Sequence, residues 1–139
     1  MNRDIPEVLD WVKERAACTP YAIFETLRNQ VEGDMKTRNS LSAESGFPKR
    51  NFTFQGEGNW FAVVLPRHLE NSKGVTFNVA PTGITVRGIE TRNVLFQGVL
   101  TLSDDGKCRL KVGDTEYNLW QFRKLALHDL FFVDQEVVF

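Results

Sequence analysis

"VLFQGVLTLSDDGKCRLKVGDTEY", Val94 to Tyr117, is the stretch whose reading decides the fold. Runs rich in Val, Leu, Phe and Thr are separated by "SDDGK" and "VGDTE". Gly and Asp in such short connections supply the backbone angles that tight hairpin turns require. Three strands joined in this way must each run antiparallel to the next. Before them, "GITVRGI" (83–89) alternates with Ile84 and Val86 inward, and "GVTFNVA" (74–80) with Val75, Phe77 and Val79 inward. "WFAVVL" (60–65) is apolar on both faces, which suits a central strand covered on both sides. "NFTF" (51–54) alternates again. Six or seven strands in hairpin order make an antiparallel meander. Gly98, within the longest strand, is expected to mark a bulge or bend.

Two seven-residue stretches, "RNFTFQG" (50–56) and "RNVLFQG" (92–98), share Arg, Asn, Phe, Gln and Gly at matching places. Their flanks do not match. The shared letters read as one strand-ending chemistry reached twice: an inward Phe, an outward Gln and a Gly that takes backbone angles other residues resist.

The first third reads as helix. Asp4, Pro6 and Glu7 form an N-terminal capping pattern, followed by Ile5, Val8, Leu9, Val12 and Ala16 as a stripe facing a core. Thr19 and Pro20 start a second helix at once, with Tyr21, Phe24, Leu27 and Val31 as its buried stripe and Gly33 as its end. The polar segment "KTRNSLSAESGFPKR" (36–50) reads as a surface connection into the sheet. After the sheet, Asn118 caps a last helix with Leu119, Phe122, Leu125, Ala126 and Leu130 along one stripe and Trp120, Leu127 and Phe131 off it. The sequence therefore divides into a helical segment (1–35), a connection (36–50), an antiparallel sheet (51–118), a helix (119–133) and an apolar tail (134–139) within one domain. The expected class is α+β, with the C-terminal helix packed on the sheet.

Composition narrows the function. In 139 residues, 17 basic against 18 acidic side chains leave no excess charge of the kind that nucleic acid attracts. No apolar run reaches membrane-spanning length, and the acidic N-terminal stretch does not resemble a secretory signal. Cys18 and Cys108, without paired spacing, are expected to be reduced thiols in a cytoplasmic protein.

Catalytic chemistry finds little footing. His68 and His128 stand alone, and His128 beside Asp129 is not expected to pair with it, because helix neighbours point apart. No metal-ligand set and no cofactor motif is present, so the expectation is no catalytic residue, no metal and no cofactor. Cys18 next to a helix start is the one nucleophile candidate, giving a cysteine-dependent enzyme as an alternative.

The leading expectation is a non-enzymatic interaction module that binds another protein or a second copy of itself. Its interface candidates are Trp120, Leu127, Phe131, Phe132, Val137, Val138 and Phe139. The alternative is a binding domain for a small apolar or aromatic molecule, with Phe54, Trp60, Phe77, Phe96 and Trp120 lining the pocket.

Overall fold

Turn chemistry in the second half of the chain produces the sheet that the sequence implies. The computed structural model describes residues 10–41, 46–66 and 72–133. Seven strands follow one another in chain order, each antiparallel to the next. They are β1 (Thr53–Glu57), β2 (Trp60–Leu65), β3 (Lys73–Ala80), β4 (Gly83–Gly88), β5 (Val94–Leu102), β6 (Cys108–Val112) and β7 (Thr115–Tyr117). Gly106 and Gly113 hold φ of 83° and 62° in the last two turns, where a side chain would be strained. The first of these turns is braced by Asp105. Its carboxylate accepts from both terminal nitrogens of Arg109 and from the Lys107 N–H, which holds its pKa down at about 2.

Three helices complete the α+β fold: α1 (Trp11–Ala17), α2 (Pro20–Ser40) and α3 (Leu119–His128), which runs on into a π-helical turn, Asp129–Val133. Thr19 Oγ1 caps α2 through the Ala22 N–H, and Asn118 caps α3 in a reciprocal box with Gln121. Phe24, Leu27 and Val31 of α2 join Phe122, Ala126 and Leu127 of α3 in one core with the inner face of the sheet. Phe24, Phe61 and Phe77 form a row with ring centroids 5.0 and 4.7 Å apart. Burying each such ring contributes roughly 1.5–3 kcal/mol. α2 lies across β1 to β4, α3 rests on β6 and β7, and the π-helical turn reaches β3.

Several expectations change in physically informative ways. Asp10, whose carboxylate accepts from Val12 N and Lys13 N, caps α1, so helix begins at Trp11. Val12 and Ala16 are exposed, and α1 buries none of its residues. Asp4, Ile5, Pro6, Glu7, Val8 and Leu9 lie outside the described residues. In α2, Tyr21 is exposed and Gly33 does not end the helix, which continues for seven more residues to Ser40. A mid-helix glycine costs about 1 kcal/mol relative to alanine. Burial of Met35 two residues later, on the stripe of Phe24, Leu27 and Val31, offsets it. The first part of the expected surface connection is therefore helix.

β2 stands second from one edge rather than at the centre of the sheet. The irregularity between β4 and β5 sits at Leu95, left unmatched between Phe96 and Val94, which pair with Val86 and Arg87. Gly98 is instead a socket: a Cβ there would stand 2.6 Å from Phe122 Cε1 and 3.1 Å from Leu110 Cβ. Gly56, in the other copy of the repeated stretch, likewise lies inside its strand, where a Cβ would stand 2.8 Å from Phe61 Cβ. A Phe and the Gly two residues on share a sheet face. In both copies the glycine thus clears space for an aromatic ring or its backbone.

α3 buries Phe122, Ala126 and Leu127, then Leu130 and Phe131 in the π-helical turn. Burying these adjacent pairs turns Leu125 outward. Leu127 and Phe131, expected off the stripe, are core residues. Finally, Cys18 and Cys108 are not reduced. They form a disulfide between the α1–α2 junction and β6, with Cα atoms 5.5 Å apart.

Candidate functional site: the groove between α2 and α3

The helical layer is not closed. Between α2 and α3 lies an open groove of about 350 Å³. Leu127, Phe131 and Phe132 supply its apolar surface, and Trp120 stands on its rim, 60% exposed. Lys124 Nζ lies 5.5 Å over the Trp120 ring, which holds that ring upright by a cation–π contact. Arg123 ties the two walls together. Its Nε donates to Asp34 Oδ2 at 2.7 Å and its Nη1 to Gln30 Oε1 at 2.8 Å.

Arg38 is the unusual member of the lining. Its place on α2 follows the stripe of Phe24, Leu27, Val31 and Met35, so the helix period carries it inward, and it is only 1% exposed. Nε donates to the Phe131 carbonyl at 2.9 Å and Nη2 to the Pro48 carbonyl at 3.1 Å. Both partners are neutral. Among the described residues Nη1 has no hydrogen-bond partner. The Phe47 and Phe132 rings lie together on one side of the guanidinium with centroids 5.8 and 5.5 Å away, and they meet each other edge to face at 4.9 Å.

Among the described residues no carboxylate forms an ion pair with Arg38. Burial, and secondarily the charge of Arg50, push its pKa down. An arginine nevertheless stays protonated in proteins. A buried cation without a counter-ion is costly, and most are paired.

His128 also borders the groove, and its Nδ1 lies 3.4 Å from Asp129 Oδ1. The two neighbours do approach each other, where the α-helix passes into the π-helical turn. Both are exposed, and the contact is too long and too wet to activate a base. Among the described residues no three His, Cys, Asp or Glu side chains converge as metal ligands would. Cys18 carries no thiol, being bonded to Cys108. His68 lies outside the described residues.

The residues expected to form a pocket do not gather in one place. Trp120 lines the groove, while Phe54 stacks on Phe61 and Phe77 lies in the core. Phe96 meets Phe122 edge to face and borders a second depression of about 370 Å³ on the other flank of α3, beside Leu95 and Leu125. That depression offers no unpartnered buried polar group among the described residues. Trp60 opens β2, opposite Asn78 and Glu57, away from the groove. Of the expected interface residues, Trp120 is exposed, Phe132 half-buried, and Leu127 and Phe131 are core. Val137, Val138 and Phe139 lie outside the described residues.

Sequence reasoning missed Arg38. The signal was a charge at a buried-stripe position, seven residues after Val31, hidden once Gly33 was read as a helix end. No family model matches the chain, and no curated protein or solved structure proved similar to it.

Proposed function

We propose that this is a non-enzymatic, small-molecule-binding domain whose ligand lies between α2 and α3. The observation that carries this reading is the open groove of about 350 Å³ with its apolar surface of Leu127, Phe131 and Phe132. Its volume lies at the small end of the range that ligand sites occupy, and apolar atoms make up most of its exposed surface although six of its eleven lining residues are polar or charged. At roughly 30 Å³ per water-sized atom, it takes a ligand of about a dozen non-hydrogen atoms.

The test is a titration with 1-decanol followed by amide and methyl NMR shifts. Shifts should concentrate at Leu41, Trp120 and Leu127, and Thr37→Phe, which adds bulk to an exposed position in the groove wall, should abolish them. Shifts absent, or scattered over the sheet, would sink the reading.

A second reading is supported by exposed apolar side chains on the last helix and its π-helical turn. Trp120, Leu125 and Val133 are 60%, 42% and 61% exposed, separate apolar contacts for another protein or a second copy of this chain. Sedimentation of Leu125→Glu with Val133→Glu should then release monomers from a dimer. A native chain that is monomeric at every concentration reached counts against self-association.

No helix among the described residues is long and apolar enough to cross a membrane, and neither membrane nor nucleic acid enters the proposal. The expectation of a cytoplasmic location rests on the lack of a secretory signal, and the expectation of reduced cysteines follows from it. The bonded pair weighs against that location, because stable disulfides belong chiefly to oxidising compartments.

A further inference from the structure

We infer that the ligand of the α2–α3 groove is an anion, a carboxylate on a compact apolar body, and that Arg38 receives its charged end. This rests on the groove being a ligand site, as proposed above.

Three observations carry it. The first is the state of Arg38: a cation 1% exposed, with two nitrogens bonded to neutral carbonyls and Nη1 without a partner among the described residues. Leaving a buried donor of a charged group without a partner is the most expensive arrangement available to it. A carboxylate is the acceptor whose geometry fits a guanidinium fork. The second is charge balance along the lining. Arg38, Arg123 and Lys124 stand against the single carboxylate of Asp34, and that carboxylate is already engaged by Arg123.

The third is the distribution of polarity. Phe47 and Phe132 cover one side of the guanidinium, while Leu127, Phe131 and Trp120 add hydrocarbon and ring surface to the same lining. A bare inorganic anion would satisfy the arginine and leave this apolar surface wet. A neutral apolar molecule would cover that surface and leave Nη1 unpaired. An amphipathic carboxylate does both.

Isothermal titration of the whole chain with decanoate, decanol and inorganic phosphate tests this. Decanoate should bind at least about tenfold more tightly than decanol, the usual range for a hydrogen bond to a charged group. Phosphate should bind more weakly than either. Arg38→Met should erase the preference for decanoate while retaining decanol. Equal affinities for decanoate and decanol would overturn the anion inference and leave the groove reading standing. Failure of both to bind would overturn both. A preference that survives in Arg38→Met would place the anion on Arg123 or Lys124 and refute the assignment to Arg38.

Should the methionine variant fail to fold, side-chain ¹⁵N NMR of the native chain answers the same question. The Arg38 guanidinium signals should move with decanoate and not with decanol, and signals that stay still under saturating decanoate would refute the contact.

Discussion

Removing the Cys18–Cys108 bond should weaken the fold by an amount that can be worked out from topology. The two residues are 90 positions apart, so the cross-link closes a loop comprising most of the sheet. The loop-entropy relation for a closed segment of this length gives ~4.6 kcal/mol at 25 °C, and measured values for disulfides usually fall at 2–4 kcal/mol. Little native packing offsets or adds to this: α1, on one side of the bond, buries none of its residues, though Cys18 itself is buried.

The comparison is Cys18→Ala with Cys108→Ala against the oxidised chain, unfolded in urea and followed by tryptophan emission and far-UV circular dichroism. The variant should lose about 2–5 kcal/mol. Its denaturant dependence should also steepen, because an uncross-linked denatured chain exposes more surface. Intact mass of the native chain, two hydrogens below the sequence value, verifies the starting state. A loss below about 1 kcal/mol with unchanged slope would refute the argument that the bond acts by restricting the unfolded chain.

Three further outcomes follow from particular contacts. Gly98→Ala should destabilise by about 1–3 kcal/mol despite the better strand propensity of alanine, because the added methyl meets Phe122 and Leu110; an unchanged melting temperature would show that the socket is loose. Gly33→Ala should stabilise by roughly 0.5–1 kcal/mol, since the position is mid-helix, exposed and open around the site of the new methyl; a loss in thermal denaturation would contradict the continuous α2. Asp105 should titrate near 2 by NMR, and Arg109→Ala should return it toward ordinary carboxylate values. Because its folded pKa is depressed, the stabilisation it provides is present above the unfolded value near 4 and disappears as pH falls through about 2.

The sheet was legible in the sequence because its determinants are local. The glycines at 106 and 113 announce their turns, and alternation in β3 and β4 names the inward residues without knowledge of what covers them. Helix boundaries were less legible because they depend on distant partners. Gly33 is a plausible stop until Met35 and Arg38 are seen to have burial sites farther along. The disulfide could not be read from spacing, since only the meander brings Cys108 under the α1–α2 junction. In the candidate site, Trp120 was identified by its size and position, whereas Arg38 looked like one more charge in a polar run. Leu125 and Leu127 exchanged places because the face that α3 buries, Phe122, Ala126 and Leu127, is rotated from the stripe read in the sequence.

The groove joins the first long helix to the last, with every strand of the sheet lying between them in the chain. Arg38 and the Phe131 carbonyl it bonds are 93 residues apart, and Arg123 reaches 89 residues back to Asp34. A chain being synthesised from its N-terminus can pair all seven strands before residue 119 emerges, yet it then carries the Gly98 socket vacant and the Arg38 guanidinium without its Phe131 acceptor. Such a partly made molecule has strand pairing in hand and apolar surface bare, the condition in which nascent chains aggregate or recruit chaperones. Arrival of the last helix closes both defects at once. A groove walled by both helices therefore exists only once synthesis and folding of this region have finished, and a chain cut before α3 lacks it even where its sheet survives.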